Sequence, residues 1–229
     1  MVVVVSYYCL LLVYCISAVF LLNCVCPVTA EIHGGTILAM QGRNSVVMVA
    51  DSRFSSQRTG GMMITSSERM IYSLGSQCIL GCIGLDSDAR DLVNAVRLKV
   101  SSHSDLELGP SSLARCVSNT LYEKGLYCSP TIVGLDTNSG APYICSMDGL
   151  GSQTIPEGFA VSGTASNSLC AICESLYEAD LDEEALMSLA KRCMALALQR
   201  DVLSGGACTL YLLTQDGVDK HTFDTDDAW

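Results

Sequence analysis

The sequence predicts an α+β domain in which two antiparallel β-sheets pack face to face and α-helices cover their outer faces. Short apolar, β-branched segments joined by turn residues predict hairpin-connected strands. Four segments with helical periodicity come in two pairs, and the order along the chain is strands, two helices, strands, two helices, strands. Paired helices between sets of hairpin strands indicate sheets that are covered on their outer faces.

The predicted strands begin with a hairpin. Thr36 to Met40 and Ser45 to Ala50 are apolar, β-branched runs joined by the turn sequence QGRN. The other predicted strands are Cys78 to Ile83, Pro130 to Leu135, Tyr143 to Met147, Ala160 to Gly163, Ala207 to Thr214 and Val218 to Phe223.

The predicted helices are Asp88 to Val100, Ser111 to Lys124, Ser166 to Glu178 and Asp182 to Arg200. Ser111, which follows Pro110, and Asp182 have the side chains of N-cap residues. No internal repeat or linker divides the chain after the first thirty residues. One domain is therefore predicted over residues 31–229.

Composition excludes several classes of function. The chain has 229 residues, a formal net charge of −11 and a sequence pI of about 4.5, so nucleic acid is not an expected partner. Nine of the 13 cysteines lie beyond residue 30, and this odd number together with the absence of an Asn-x-Ser/Thr acceptor favours a reducing compartment. Cys170 and Cys173 form a C-x-x-C pattern within a helix, where we expect buried thiols and neither a metal nor a cofactor.

The first thirty residues form an uncharged hydrophobic leader. The stretch CLLLVYCISAVFLLNCVC is long and apolar enough for a signal or an anchor, and PVTA before Glu31 resembles a signal-peptidase site without the usual basic region ahead of it. A propeptide and an extension introduced by gene prediction are the alternatives.

The opening hairpin contains a candidate nucleophile site. If the turn centres near Arg43, residues whose numbers add up to about 86 face each other, so that Asp51 lies opposite Gly35 with Thr36 beside it. A carboxylate beside a free N-terminal threonine can organise a lysine, while the α-amino group acts as general base. An aspartate at a strand end and a β-branched threonine also occur in ordinary hairpins.

Further candidate residues lie in three downstream turns. Gly84 follows a strand in LGCIGLDSD, where a glycine N–H can serve as an oxyanion donor. Ser162 lies in AVSGT, between a strand and a helix. The loop RDVLSGG contains Asp201, Ser204 and Gly205, of which the first two can hydrogen-bond to each other. Each of these residues, taken alone, is an ordinary turn residue.

Taken in order, these motifs resemble the β-type subunits of the proteasome. The matching segments are GGTILAM, ADSRF, GCIGLDSD, GLDTNSGAPYICSMDGLGS, SGTASNSLCAICESLYE and ALALQRDVLSGG. The resemblance implies the four-layer αββα sandwich of the N-terminal nucleophile hydrolases and a place in the β-ring of the 20S core particle. It also implies a location in cytoplasm and nucleus, and no membrane partner. The implied partners are the other β subunits of a seven-membered ring, the α-ring subunits, the opposite β-ring and unfolded polypeptides that pass nearby.

The resemblance also implies that the catalytic residues are missing. In catalytic members the nucleophilic threonine lies sixteen positions before the aspartate of the D-S-R motif, and here that position is Gly35. Thr36 falls one position later, and a shift of one in a strand turns the side chain to the opposite face. The lysine of the next strand has no counterpart in ITSSERMIYSLG, where Arg69 or Met70 takes its place. Arginine keeps its charge but is a poor proton shuttle.

The pattern therefore predicts a subunit that is not an enzyme by itself and belongs to a threonine-type endopeptidase complex. LYEKG, PYICSMDGLG and CESLYEADLDEEAL narrow the resemblance to the non-catalytic type-3 branch of the family. The site residues that remain are Asp51, Gly84, Ser162, Asp201, Ser204 and Gly205. Two alternatives stay open: an active threonine endopeptidase released by cleavage before Thr36, and a membrane-anchored or secreted protein with the same fold.

Overall fold

Two five-stranded antiparallel sheets and a two-stranded ribbon make up the strand structure of the residues that the structure describes. The structure is a computed structural model, and it describes residues 35–56, 62–66, 70–75, 77–101, 109–137 and 139–225. The predicted leader and Arg69 lie outside these residues.

The strands are numbered in chain order: β1 (Thr36–Gln41), β2 (Val46–Asp51), β3 (Arg53–Ser56), β4 (Met62–Ser66), β5 (Ile71–Ser73), β6 (Cys78–Gly84), β7 (Cys128–Leu135), β8 (Pro142–Met147), β9 (Gln153–Thr154), β10 (Phe159–Gly163), β11 (Cys208–Thr214) and β12 (Gly217–Phe223). The helices are α1 (Asp86–Ser101), α2 (Pro110–Lys124), α3 (Ser166–Leu176) and α4 (Glu183–Leu198). The first sheet has the order β10-β1-β2-β11-β12 and the second the order β5-β6-β7-β8-β9, while β3 pairs with β4.

Side-chain alternation along β1 shows how the layers stack. Ile37 and Ala39 point into the core between the two sheets, which also contains Val133 of the second sheet. Leu38 and Met40 point the other way, into a second core formed with α3 and α4. A third core lies between α1, α2 and the outer face of the second sheet. The predicted four-layer αββα sandwich is confirmed.

The sequence-based boundaries agree closely with the structure. All eight predicted strands and all four predicted helices are present, and each observed end lies within two residues of the prediction. The strands that were not predicted are β3, β4, β5 and β9, which have two to five residues each. They are too short to show an alternating pattern.

One of the two N-cap predictions is correct. The Asp182 side chain accepts a 2.8 Å hydrogen bond from the backbone N–H of Ala185 at the start of α4. Ser111 is not an N-cap, because α2 begins one residue earlier with Pro110 at its first position and Gly109 as the cap. Proline suits the first helical position since its missing N–H would have no partner there.

The register of the β1–β2 hairpin differs by one residue from the prediction. The paired residues run from Ile37 opposite Ala50 to Gln41 opposite Val46. The N–H of Gly42 bonds to the carbonyl of Ser45, which closes a four-residue connection and delays the start of β2. Asp51 is therefore level with Thr36, and the prediction that it lies opposite Gly35 is wrong.

The structure also bears on the predicted buried thiols, on metal ligands and on membrane-spanning helices. Cys173 is fully buried in the core beneath α3 and α4, whereas Cys170 is partly exposed. In the described part of the chain no three His, Cys, Asp or Glu side chains converge as metal ligands would. None of the described helices combines the length and the apolar character that a membrane span requires.

Candidate functional site

Gly35 lies directly before β1 in a conformation that disfavours a side chain. Its backbone φ is +145°, a value that residues with a Cβ rarely adopt. A Cβ at this position would lie 2.3 Å from Cε and 2.7 Å from Sδ of Met70. Met70 is only 4% exposed and belongs to the core between the sheets. The space beside Gly35 is thus filled by the end of Met70, the methionine that follows β4.

Thr36 directs its hydroxyl group to the other side of the sheet. Its Oγ1 accepts a 3.2 Å hydrogen bond from the backbone N–H of Ala165, just before α3, and the residue is completely buried. By strand alternation it shares the face of Leu38, which contacts α3 and α4. Its backbone N–H donates a 2.8 Å bond to Oδ1 of Asp51, a contact that the sequence analysis did not predict.

Asp51 is a buried carboxyl group that joins two parts of the chain. Besides the bond from Thr36, its Oδ2 accepts a 2.6 Å bond from the backbone N–H of Gly205. Burial raises the pKa of Asp51 to about 7, although the amides of Thr36 and Gly205 act in the opposite direction; the negative charge of Asp201 adds to the rise. All four lysines of the chain lie beyond residue 98, so none lies between β2 and β6.

Asp201 organises the loop between α4 and β11. Its Oδ2 accepts 2.5 Å bonds from the hydroxyls of Thr164 and Ser204, and its Oδ1 accepts a 3.0 Å bond from the backbone N–H of Leu203. Partial burial acts to raise the pKa of Asp201, but the bonds from Ser204, Thr164 and Leu203 outweigh it and hold the pKa below its usual value. Asp201 is therefore ionised at neutral pH.

The residue that reaches Asp201 from the turn after β10 is Thr164, which the sequence analysis did not select. It selected Ser162, whose hydroxyl instead lies 3.5 Å from Oγ1 of Thr131 on β7. Ser162 is still within β10, whereas Thr164 follows Gly163, a glycine with φ +108° that ends the strand. The signal was in the sequence, since Thr164 is the first hydroxyl residue after the glycine of AVSGT.

Gly84 ends β6 beside a cavity of about 630 Å³. A Cβ on Gly84, whose φ is +133°, would lie 2.6 Å from the carbonyl oxygen of Tyr127. Ser162, Thr164 and Asp201 also line this cavity. Gly35, Thr36 and Asp51 are not among its lining residues.

The candidate residues thus fall into two linked groups. Gly84, Ser162 and Asp201 border the cavity, while Asp51 lies away from its lining with the N–H of Gly205 bound to its carboxyl group. Ser204 connects the groups through its bond to Asp201 in the same loop. Such a network can hold the start of β1 and the loop before β11 in fixed positions. None of the residues of this network is a lysine, an arginine or a histidine.

Two sheets between two helix pairs, with a strand start held by a buried carboxyl group, define the class of the N-terminal nucleophile hydrolases. Within this class, the family model described as "Proteasome subunit" matches residues 32–213. The chain belongs to the proteasome subunit family.

Individual relatives are similar over most of their length. The "Probable proteasome subunit beta type-3" of Schizosaccharomyces pombe is 34% identical over 191 residues, which cover 81% of this chain and 92% of that protein. The "Proteasome subunit beta type-3" of Saccharomyces cerevisiae is 32% identical over 197 residues, or 83% of this chain and 94% of the relative. The Drosophila melanogaster protein of the same name is 29% identical over 199 residues, or 84% and 96%.

Proposed function

We propose that this chain is a non-catalytic β subunit of the 20S proteasome core, where it builds the β-ring and flanks neighbouring active sites in ubiquitin- and ATP-dependent protein degradation. One observation carries the non-catalytic role: position 35 is a glycine, and Met70 fills the space where a side chain would begin. A residue with a Cβ at this position would need a φ that such residues rarely adopt and would have to displace the end of the Met70 side chain. The relatives named beta type-3 support the same assignment.

The proposed partners follow from this role. They are the other β subunits of the ring, the α-ring subunits and the opposite β-ring, with unfolded polypeptides passing nearby. The proposed location is cytoplasm and nucleus. The free thiols of the described domain, of which seven are buried, support a reducing compartment.

One observation favours an active subunit released by cleavage before Thr36. The nitrogen that would become the new α-amino group already lies 2.8 Å from Asp51. The hydroxyl of Thr36, however, is completely buried and bonded to the N–H of Ala165. A nucleophile must reach its substrate, so this geometry supports the non-catalytic role.

The test is Thr36→Ala in the assembled particle. We expect the peptidase activities per particle to stay within about twofold of wild type, because an exposed catalytic hydroxyl is not being removed. Thr120→Ala is the matched control, since it deletes an equally buried threonine hydroxyl within α2. A loss of one activity on the order of a hundredfold for Thr36→Ala alone would show a catalytic role. Covalent labelling of Thr36 by a threonine-directed electrophile would show the same.

A further inference from the structure

Two buried thiols meet between the helices α3 and α4. Cys173 of α3 and Cys193 of α4 are completely buried, and both belong to the core that these helices form with the first sheet. Their thiols hydrogen-bond to each other, which raises the pKa of Cys173 and lowers the pKa of Cys193. The proposed function gives this pair of thiols no role.

The geometry of the helix pair places the two cysteines at the same level. The helices are joined by residues 177–182, and the hydroxyl of Thr164 before α3 bonds to Asp201 after α4, so α3 and α4 run antiparallel. Cys173 lies nine residues after Thr164. Cys193 lies eight residues before Asp201, which is almost the same distance along its helix. The two thiols therefore face each other across the helix pair.

Short side chains beside Cys193 allow the two helices to approach closely. Ala190 and Ala197 lie about one turn before and one turn after Cys193, and all three belong to the same core as Cys173. The distance between packed helices depends on the side chains at their contact. A disulfide requires Cα atoms about 4.4–6.8 Å apart, so a contact made by alanine and cysteine side chains favours one.

Cys170, the other cysteine of the C-x-x-C pattern, is directed elsewhere. It is partly exposed, and its thiol donates a 3.6 Å hydrogen bond to Oε1 of Glu174 on the same helix. Cys173 is buried on the other side, against α4. The structure thus pairs Cys173 with Cys193, although the sequence pattern pairs it with Cys170.

A second thiol pair, Cys82 and Cys128, lies on the neighbouring strands β6 and β7. Cys82 is directly opposite Pro130, so that Cys128 is its diagonal neighbour. Diagonal neighbours in an antiparallel sheet are about 7–8 Å apart, which is longer than the Cα separation of a disulfide. This pair is therefore expected to stay reduced.

We propose that Cys173 and Cys193 form a disulfide between α3 and α4 when the chain meets a low-molecular-weight disulfide such as oxidised glutathione. One protein thiol attacks that disulfide and releases a small thiol, and the other then attacks the mixed disulfide and releases a second one. The two protein thiols together lose two protons and two electrons, and the small disulfide is reduced to two thiols. Because both protein thiols are buried, a local opening of α3 precedes the first attack. In a reducing compartment the pair remains a dithiol until an oxidant is present.

The disulfide adds a covalent link to the helix pair that Thr164 and Asp201 already connect. It closes a loop of about 20 residues between Cys173 and Cys193, which restricts the unfolded chain. We expect the Tm of the oxidised chain to be about 5–10 °C higher than that of the reduced chain.

The experiment incubates the folded full-length chain with oxidised glutathione for a day, blocks the remaining thiols by alkylation and maps the disulfides by mass spectrometry. It uses Cys170→Ser, so that Cys173 is the only cysteine of residues 158–174, a fragment that is released by cleavage after Glu157 and Glu174. Trypsin releases Cys193 within residues 193–200. We expect the two fragments to be joined in most chains, and the wild-type chain to show the same rise in Tm as Cys170→Ser.

Two further variants locate the effect. Cys193→Ser should abolish both the link and the rise in Tm. Cys145→Ser is its matched control, since it changes an equally buried thiol on β8 and should keep both. The mapping in Cys170→Ser leaves both buried cysteines in place, so the test stays decisive if Cys193→Ser fails to fold.

Three results would overturn the proposal. The first is a folded Cys170→Ser chain in which the two fragments stay separate after the incubation. The second is a wild-type chain in which oxidation joins Cys173 to Cys170 and leaves Cys193 as a thiol. The third is a link between Cys173 and Cys193 that leaves the Tm unchanged or lowers it, since the disulfide would then not fit the folded helix pair.

Discussion

At the scale of single residues, Gly35, Met70 and Asp51 are adjusted to one another. Gly35 leaves the space that the end of Met70 occupies, and Met70 and Asp51 line the same small cavity. Burial raises the pKa of Asp51 to about 7. A threonine at position 35 would therefore meet the end of Met70 and a φ of +145° that residues with a Cβ rarely adopt.

Gly35→Ala tests the coupling between Gly35 and Met70. We expect it to lower the free energy of unfolding by roughly 2–4 kcal/mol, because the new Cβ meets Met70 and φ is +145°. Met70→Ala alone should cost about 2–5 kcal/mol through the cavity that it leaves. The free energy of unfolding of the double variant should fall by less than the sum of the two single effects, with a difference of at least about 1 kcal/mol. Additive losses in a denaturant titration would show that the two residues are independent.

At the scale of elements, Asp51 connects the start of β1, the end of β2 and the loop before β11 through two backbone N–H groups. The pKa of Asp51 is near 7 in the folded chain and about 4 in the unfolded chain. At a pH between about 4 and 7, the folded protein therefore keeps a proton on Asp51 that the unfolded chain has released. This contribution to stability is complete below about pH 4 and is lost as pH rises through about 7.

Asp51→Asn should remove that pH dependence. The free energy of unfolding is measured by chemical denaturation at several pH values. From pH 4 to pH 8, we expect the difference between wild type and the variant to shift by on the order of 4 kcal/mol, with wild type losing stability. A constant offset is also expected, because asparagine has one acceptor oxygen for two N–H groups. Asp216→Asn, which removes an exposed carboxyl group in the turn between β11 and β12, is the control substitution. A difference between wild type and Asp51→Asn that does not change with pH would contradict this assignment.

The same elements show what a sequence can and cannot determine. Strand and helix positions followed from apolar periodicity because each element buries one or two continuous faces, as β1 does. The hairpin register did not follow, because it depends on the bond between Gly42 and Ser45 that closes the turn. The role of Met70 became visible only in three dimensions, since a methionine after an unpredicted strand carries no local signal. Thr164 could have been found, because it is the first hydroxyl residue after the strand-ending glycine.

At the scale of the whole molecule, the loop from α4 to β11 links the helix layer to the first sheet and carries Asp201. If its counterparts in catalytic relatives support a nucleophile, Asp201 has no such partner here, because position 35 is glycine. Its bonds to Thr164, Leu203 and Ser204 instead hold the loop against the start of α3. We therefore expect Asp201 to act on the shape of the subunit, and through that shape on its assembly.

Asp201→Ala should lower the incorporation of the chain into particles. The substitution leaves two hydroxyls and one N–H without their acceptor, at a cost of roughly 1–3 kcal/mol where they stay buried, and it loosens a loop that carries the exposed Val202. The test uses cells that express the wild-type chain and the variant together. Quantitative mass spectrometry measures, for each of the two chains, the amount in purified particles relative to the amount that is unassembled. Asp216→Ala makes the same chemical change in the exposed β11–β12 turn and should be incorporated like wild type. Full incorporation of Asp201→Ala together with lost peptidase activity would place Asp201 in catalysis and contradict its structural role.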